Sequence, residues 1–267
     1  MNTNIVDGRA LALGLKNKLK EEARTGVPAI MAVISVGSNE VTTRYINRKI
    51  AFGADIGVEV RHFDLMETTT QAEILALLQS LNNDESITGV IVQLPLPFQL
   101  NTAEILGVID PKKDADALSI DSLVDSPVVL AIREIFQAFG VEPRGKKAVV
   151  IGQGRLVGKP AGVFLAGAGA DVKQFDLDKK EGWEDSLRQA DIIVTGAGVP
   201  GLIKPAMLKP GVVLIDAATS ESNGKLAGDA DPLCAEVCSV FTPVPGGVGP
   251  LTIACLFKNI LTLKSRS

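Results

Sequence analysis

Residues 147–160 read Lys-Ala-Val-Val-Ile-Gly-Gln-Gly-Arg-Leu-Val-Gly-Lys-Pro and set the architecture of the second half of the chain. An apolar run ends in glycines, and a segment with helical periodicity follows. Strand, glycine loop and helix in this order are typical of an α/β unit that binds a dinucleotide, because bare backbone lets a pyrophosphate approach the helix N-terminus. The spacing is G-x-G-x-x-x-G rather than G-x-G-x-x-G, so the motif by itself is weak.

Asp176 strengthens this interpretation because it closes the next predicted strand, 170–175. A carboxylate at that point accepts hydrogen bonds from both hydroxyls of an adenosine ribose, and it repels a 2′-phosphate. We favour this role over the alternative, a solvated acid at a strand end.

Apolar runs alternate with helical segments on both sides of this stretch. Strands are predicted at 29–36, 58–65, 89–94, 147–151, 170–175, 192–195 and 212–215, and helices at 42–56, 70–82, 101–108, 129–139, 156–168, 183–188 and from about 251 onward. This β-α-β-α order predicts two α/β units, each with a mostly parallel sheet, and a boundary near 117–127.

Composition argues against several classes of function. The 267 residues include 27 basic and 31 acidic side chains without a basic stripe, so no nucleic-acid partner is expected. No signal segment or apolar run of bilayer length is visible, so no membrane partner is expected and the cytoplasm is the default compartment. Cys234, Cys238 and the only histidine, His62, have no metal-ligand spacing, so no metal site is expected.

Three residues of the first half form a candidate catalytic group. Tyr45 and Lys49 stand at i and i+4 of a predicted helix and share one face, and Tyr45 is the only tyrosine. Gln93 is an amide at the carboxyl end of an apolar strand, where ligands of open α/β sheets gather. A buried amide needs a partner, and a lysine ammonium is a suitable one. The alternative is a solvated lysine beside a half-buried tyrosine.

Residues 242–250 read Thr-Pro-Val-Pro-Gly-Gly-Val-Gly-Pro. Proline fixes φ and glycine bares the backbone, so the loop has one shape and open peptide edges that suit the flat face of a ligand. An ordinary turn before a helix is the alternative. Asp114 and Asp116 lie just before the predicted boundary, although acids of this kind are surface charges in most proteins.

Together these motifs resemble the bifunctional methylenetetrahydrofolate dehydrogenase/methenyltetrahydrofolate cyclohydrolase family (FolD type). The resemblance covers nearly the whole chain and rests on residues 6–9 (VDGR), 36–38 (VGS), 45–49 (YINRK), 92–97 (VQLPLP), 111–116 (PKKDAD), 152–160 and 243–252. The VQLPLP run and the last loop are the most specific of these motifs, and their order is the family's order.

The resemblance implies a catalytic α/β domain, 1–120, completed by 248–267. Inserted in it is a Rossmann-type NAD(P)-binding domain, 121–247, with a folate cleft between the two. It further implies that 5,10-methylenetetrahydrofolate is oxidised to 5,10-methenyltetrahydrofolate with NADP or NAD and then hydrolysed to 10-formyltetrahydrofolate. A homodimer and a place in one-carbon metabolism and purine biosynthesis are also implied.

The resemblance also implies the roles of individual residues. Lys49 is the catalytic lysine and Gln93 tunes its protonation; Tyr45 packs against the folate rings. Asp116 holds the pterin edge, and Lys49, Tyr45, Gln93 and Asp116 form the catalytic set. The substrate-binding set is Tyr45, Lys49, Val92, Gln93, Leu94, Asp116, Pro245, Gly246, Gly247, Val248, Gly249, Pro250, Leu251 and Thr252. The cofactor-binding set is Gly152, Gln153, Gly154, Arg155, Val157, Gly158, Asp176, Leu177 and Thr219.

The cofactor half departs from the family pattern. Gln153 and Gly154 stand where the family has Arg and Ser, which suit a 2′-phosphate, and Asp176 begins a pair that is commonly His-Ser. Thr219 ends a pair that is Gly-Ile in the family, and the Pro-Cys-Thr-Pro segment before the linking helix is missing. In the folate half, Ala117 replaces a glycine. These departures predict NAD rather than NADP, or weak dinucleotide use.

Three other functions are alternatives to the bifunctional enzyme. The first is a cyclohydrolase whose dehydrogenase activity is weak or lost. The second is a non-catalytic folate- or dinucleotide-binding protein, against which the intact Tyr45, Lys49, Gln93 and Asp116 argue. A short-chain dehydrogenase also uses Tyr-x-x-x-Lys, but its glycine loop precedes that pair, whereas here the loop follows it.

Overall fold

The computed structural model describes residues 3–24, 28–37, 39–119, 121–178, 182–222 and 225–266, so Ser38 of the VGS motif lies outside the described residues. The chain forms two compact units. Residues 1–13 with 128–252 are called the six-stranded unit, and residues 14–127 with 253–267 the three-stranded unit. Within the described ranges, no helix has both the length and the apolar character that crossing a membrane requires.

The helices and strands follow the alternation expected of an α/β protein. In chain order they are β1 (Asn4–Ile5), α1 (Gly8–Ala23), β2 (Ile30–Val36), α2 (Glu40–Ile56), β3 (Glu59–Leu65), α3 (Gln71–Asn83), β4 (Gly89–Val92), α4 (Thr102–Gly107), α5 (Pro127–Phe139), β5 (Lys147–Ile151), α6 (Gly158–Gly167), β6 (Asp171–Phe175), α7 (Trp183–Gln189), β7 (Ile192–Thr195), β8 (Val213–Asp216), β9 (Ser220–Ser222), β10 (Lys225–Ala227), β11 (Val240–Phe241) and α8 (Val248–Arg266). Short 3-10 helices lie at Pro205–Met207 and Pro232–Glu236.

The three-stranded unit is built on a parallel sheet of order β3-β2-β4. The central β2 is a continuous apolar run that is buried almost throughout, as expected of a strand covered on both faces. Helix α2 begins at the cap Asn39, whose side chain accepts from the Thr42 N–H, and ends at Gly57 with φ 82°. Helix α2 therefore leaves the carboxyl end of β2 and carries its side chains past that edge of the sheet.

The six-stranded unit has the order β1-β11-β8-β7-β5-β6, with all neighbours parallel. From β5 the chain passes through α6 to β6 on one side, and then through α7 to β7 on the other side of β5. The order in which strands are added to the sheet thus reverses at β5. Ligands of such sheets bind at the carboxyl ends of the strands beside this switch point.

The predicted fold class is confirmed, and every predicted strand and helix has a counterpart. The strand predicted at 89–94 ends at Val92, after which the backbone N–H of Gln93 donates to Ile34. The helix predicted at 156–168 starts only at Gly158, because a turn closed by the Lys159 N–H on the Gly154 carbonyl precedes it. The short strands β1, β9, β10 and β11 and helix α1 have no counterpart in the prediction.

The first thirteen residues belong with the six-stranded unit because β1 pairs with β11. The family resemblance implies instead that they belong to a domain spanning 1–120. The functional domain limits, 1–120 with 248–267 and 121–247, stay a prediction.

Candidate functional site

Lys49 and Gln93 meet at the carboxyl edge of the sheet in the three-stranded unit. Lys49 lies on α2, and Gln93 directly follows β4. Nζ of Lys49 donates to Oε1 of Gln93 at 2.9 Å, and Nε2 of Gln93 donates to the Leu94 carbonyl oxygen at 2.9 Å. The second hydrogen bond fixes the orientation of the amide, so that its carbonyl oxygen faces the ammonium. The predicted pairing of lysine and amide is therefore present.

The charges of Lys49 and Asp116 are both weakened by burial. Burial lowers the pKa of Lys49, and the Asp116 carboxylate opposes this shift. Burial also raises the pKa of Asp116, against the effect of Lys49 and with a smaller contribution from Asp114. A lysine in this setting releases its proton closer to neutral pH than a solvated lysine does, which suits proton transfer.

Asp114 is a site neighbour to which the sequence assigned no role. It is fully buried, and its Oδ2 accepts the Ser119 N–H at 2.7 Å. Within the described part of the chain, Oδ1 of Asp114 and Oγ of Ser119 are buried atoms without a hydrogen-bond partner. Asp114 shares its motif with Asp116, so the motif contains the signal, but spacing alone does not show which acid is buried.

The remaining predicted residues of this unit differ in exposure. Tyr45 is half-buried one turn before Lys49 on α2, and the guanidinium carbon of Arg48 lies 5.7 Å from the centre of its ring. Leu94 is half-buried, whereas Val92 is 1% exposed and belongs to the apolar core. A ligand at this edge can therefore reach the side chains of Tyr45 and Leu94 but only the backbone of Val92.

The loop of residues 243–252 belongs to the six-stranded unit and has one tightly packed shape. The Gly8 N–H donates to the Gly246 carbonyl at 2.9 Å, and the Gly247 N–H donates to the Pro243 carbonyl at 2.7 Å. A Cβ on Gly8 would lie 1.7 Å from the Gly247 oxygen, so no other residue fits there. Helix α8 then begins at Val248. The substrate-binding roles assigned to 245–252 stay a prediction.

The glycine loop, residues 152–158, has the packing that a dinucleotide cradle needs. Gly152 has φ 85°, and a Cβ on it would lie 2.8 Å from the backbone of Ala197. A Cβ on Gly158 would lie 1.7 Å from the Gly152 oxygen, so the start of α6 rests on the end of β5. Nothing lies within 4 Å of a Cβ on Gly154, which leaves bare backbone open before the helix. These features fit a pyrophosphate.

The structure brings Asp176 next to this loop. The Gly152 N–H donates to the Phe175 carbonyl at 2.9 Å, so the residue after β6 lies beside the residue after β5. Asp176 is exposed, and its Oδ1 accepts the N–H of the half-buried Leu177 at 2.9 Å. The amide of Gln153 donates to the Gly152 carbonyl at 3.1 Å, which keeps it close to the backbone.

The other predicted cofactor residues are spread along the same edge. Arg155 is exposed within the glycine loop, and Val157 is half-buried against Gly196. Thr219 is exposed after β8, and β7 lies between β8 and β5. The cofactor-binding roles of all these residues stay a prediction.

Two buried acids of the six-stranded unit were missed by the sequence. Asp216 is 2% exposed at the end of β8, and Asp229 is fully buried in the segment after β10. Burial raises the pKa of Asp216 to about 6, and the charge of Asp229 adds to the rise, although backbone N–H donors oppose it. Asp216 could have been predicted as a buried acid because it ends an apolar strand. No sequence pattern distinguishes Asp229 from other acids.

The three cysteines lie in the interior of the protein. Cys234, Cys238 and Cys255 are buried free thiols, and burial raises the pKa of Cys234 to about 11 and of Cys238 to about 12. Across the described ranges, no three side chains of His, Cys, Asp or Glu are grouped so that they could hold a metal ion.

Comparison with known proteins covers both units. Residues 6–116 match the family "Tetrahydrofolate dehydrogenase/cyclohydrolase, catalytic domain", and residues 127–267 match "Tetrahydrofolate dehydrogenase/cyclohydrolase, NAD(P)-binding domain". The "Bifunctional protein FolD" of Wolinella succinogenes is 37% identical over 273 residues, which cover 96% of this chain and 95% of that protein.

Solved structures agree with the sequence matches. The bifunctional FolD methylenetetrahydrofolate dehydrogenase/cyclohydrolase of Campylobacter jejuni superposes with a TM-score of 0.94 at 34% identity, covering 99% of this chain and 100% of that one. The FolD enzyme of Trypanosoma brucei, solved with NADP and an inhibitor, gives a TM-score of 0.92 at 30% identity, covering 99% and 98%.

Proposed function

The chain belongs to the tetrahydrofolate dehydrogenase/cyclohydrolase family, and on that premise we propose that Lys49, Gln93 and Asp116 act on its folate substrate. The protein is a bifunctional enzyme of folate one-carbon metabolism. It oxidises 5,10-methylenetetrahydrofolate with NAD(P)+ and hydrolyses the resulting 5,10-methenyltetrahydrofolate to 10-formyltetrahydrofolate. The hydrogen bond of 2.9 Å between Lys49 and Gln93 is the observation that carries the assignment of the catalytic group.

The chemistry requires one proton acceptor close to the one-carbon unit. Oxidation removes a hydride from the bridging methylene, and bound NAD(P)+ supplies the acceptor for that hydride. Hydrolysis adds water to the methenyl carbon, releases one proton and opens the ring. Lys49 in its neutral form takes the proton of the attacking water, and its pKa, which burial lowers, makes that form more accessible than it is in a solvated lysine. Gln93 holds the Nζ atom in place before and after the transfer.

Asp116 and Tyr45 orient the substrate. The pterin has an amide-like edge with parallel N–H donors, and one carboxylate accepts two such hydrogen bonds. Burial raises the pKa of Asp116, and the positive charge of Lys49 opposes this rise and so favours the ionised form that the contact needs. Tyr45 lies one helical turn before Lys49 and is half-buried, so its ring offers a flat surface on the same face of α2.

Replacing Lys49 by methionine tests the proton-transfer role. We expect Lys49→Met to lower the cyclohydrolase rate by about a hundredfold or more, as is typical when a general acid–base group is lost. Arg44→Met is the matched control, because it removes one positive charge from an exposed position of the same helix. Hydrolysis of 5,10-methenyltetrahydrofolate is followed by its absorbance, and a Lys49→Met enzyme that hydrolyses at the parent rate rules the mechanism out.

We further propose that the cofactor is NAD. Asp176 is an exposed carboxylate beside the glycine loop, where it suits ribose hydroxyls and repels a 2′-phosphate. Gln153 is neutral, and its amide is already bonded to the Gly152 carbonyl. Arg155 is the one cation inside the loop, and it opposes this preference only in part.

Substitution of Asp176 tests the proposal that the cofactor is NAD. We expect Asp176→Ser to lower the ratio of kcat/KM for NAD to kcat/KM for NADP by about tenfold, the scale of one charged hydrogen bond. Asp171→Ser removes an exposed acid from the opposite end of the same strand and should leave the ratio unchanged. A clear preference of the parent enzyme for NADP overturns the proposal, and hydrolysis without hydride transfer to either cofactor limits the function to cyclohydrolase.

We propose a homodimer as the working form, as the family resemblance implies. The chain has a mass of 28.0 kDa, so light scattering during gel filtration separates a monomer from a species of twice that mass. A monomer at the concentrations used for activity contradicts this proposal.

A further inference from the structure

The β7 loop, residues 195–199, is held by one buried carboxylate. Oδ2 of Asp229 accepts the Thr195 hydroxyl at 2.6 Å and the Ala197 N–H at 2.7 Å, and Oδ1 accepts the Val199 N–H at 2.8 Å. Asp229 and Thr195 are both fully buried. Three neutral donors from alternate residues of one loop thus converge on a single side chain, and hydrogen bonds to a charged acceptor are the stronger kind.

The β7 loop in turn packs against both ends of the glycine loop. A Cβ on Gly152 would lie 2.8 Å from the Ala197 nitrogen, and a Cβ on Gly196 would lie 2.4 Å from Cγ1 of Val157. The Gly196 N–H also donates to the Ile151 carbonyl at 3.0 Å. The spacing between the two loops therefore leaves no room for an extra carbon atom, and any shift of the β7 loop is transmitted to the glycine loop.

The segment that carries Asp229 is itself fixed. Oδ2 of Asp216 accepts the Ala230 N–H at 2.8 Å, and a Cβ on Gly228 would lie 2.1 Å from that oxygen. The Ile203 N–H donates to the Asp229 carbonyl at 2.9 Å. The carboxylate therefore projects from an anchored backbone and has a fixed position from which to hold the β7 loop.

We propose that Asp229 is a positioning residue for dinucleotide binding, which it supports by holding the β7 loop against the glycine loop. This inference rests on the proposed function, because it takes the glycine loop as the dinucleotide site. Asp229 does not contact the ligand itself. Its loss weakens binding of NAD+ and NADP+ alike, whereas loss of Asp176 changes their ratio.

The test is Asp229→Asn, which keeps the shape but turns one acceptor into a donor that faces an N–H group. We expect the Kd for NAD+, measured by calorimetry, to rise about tenfold or more, while hydrolysis of 5,10-methenyltetrahydrofolate, which needs no dinucleotide, stays within about twofold. Hydrogen exchange of the Ala197 and Val199 amides should speed up in the unliganded protein. Asp231→Asn is the matched control, because its carboxylate binds Leu233 and Lys204 instead of the β7 loop.

A folded Asp229→Asn protein that binds NAD+ within about twofold of the parent overturns the inference. If that variant does not fold, Thr195→Val, which removes only the hydroxyl donor, takes its place, and parent-like affinity then overturns the inference. A parent that binds neither NAD+ nor NADP+ refutes the proposed cofactor use instead, and amide exchange in the β7 loop still tests the role of Asp229.

Discussion

Ala117 has the least favourable backbone conformation of the non-glycine residues that the structure describes. Its φ is 54°, and the other residues there with positive φ are glycines. The left-handed region costs an alanine roughly 1–2 kcal/mol, and a glycine gives back about half of that gain through the entropy of the unfolded chain. We therefore expect Ala117→Gly to stabilise the protein by roughly 0.5–1 kcal/mol, measured as a higher urea midpoint by circular dichroism.

The control for this prediction is Ala51→Gly. Ala51 is an exposed residue of α2, so glycine there should destabilise the protein by about 1 kcal/mol through lost helix propensity. A loss of stability in both variants would mean that the turn after Asp116 tolerates alanine without strain. The departure of this position from the family glycine would then have no energetic cost.

Single residues were predictable where a motif named them. Lys49 and Gln93 stand in motifs, and their hydrogen bond followed from the rule that a buried amide needs a partner, for which a lysine ammonium is suitable. Asp229 was not predictable, because its three donors come from a loop some thirty positions earlier in the chain. Spacing along the sequence carries no information about such a contact.

Helix α8 secures the segment that carries Asp116 through one side chain. Nδ2 of Asn259 donates to the carbonyls of Ala115 and Asp125, both at 2.8 Å, and Asn259 is 2% exposed. Asn259→Ala leaves two carbonyls without this donor, so we expect a loss of roughly 2–4 kcal/mol in the free energy of unfolding. Because Ala115 adjoins Asp116, we also expect a higher KM for the folate substrate in the cyclohydrolase assay.

Thr262→Ala separates this contact from the general stability of α8. The Thr262 hydroxyl donates only to the Lys258 carbonyl of its own helix, so its loss should cost about 0.5 kcal/mol and leave KM unchanged. An Asn259→Ala enzyme with the parent KM would show that Asp116 keeps its position without the two hydrogen bonds that Asn259 donates.

Elements were predictable in proportion to the length of their pattern. The bounds of β5 and β7 match the prediction because both are mainly apolar runs that a glycine ends. The helix predicted from 70 begins at the cap Thr70, which forms a capping box with Glu73. Strands β1 and β11 have two residues each, too few for any periodicity, and they exist because each pairs with a neighbour in the six-stranded sheet.

At the scale of the whole molecule, the order of motifs predicted two α/β units, and the family assignment confirmed the dehydrogenase and cyclohydrolase activities. The limits of the compact units were less accessible to sequence reasoning. They fall inside α1, at the start of α5 and inside α8, where the helical pattern continues without a break. A pattern that reports local periodicity does not register which sheet a helical turn packs on.

The stability of the molecule should depend on pH through Asp216. Its pKa is raised from 3.8 to about 6 in the folded protein, mainly by burial, so the folded state binds the proton more tightly than the unfolded chain does. Stability from this group is therefore greatest below the unfolded pKa and falls as pH rises from about 4 to about 6. The shift corresponds to a loss of about 3 kcal/mol across that window.

Asp216→Asn removes the titrating group and should remove this part of the pH dependence. Between pH 4 and pH 7, we expect the unfolding free energy of the parent to fall by about 3 kcal/mol relative to that of the variant. Urea unfolding is followed by the fluorescence of Trp183, the only tryptophan, which lies in the six-stranded unit. Thr242→Val is the control, because it removes the hydroxyl that accepts the Asp216 N–H but keeps the carboxyl group. Its stability curve should run parallel to that of the parent, and an Asp216→Asn curve that is equally parallel would show that another group carries the pH dependence.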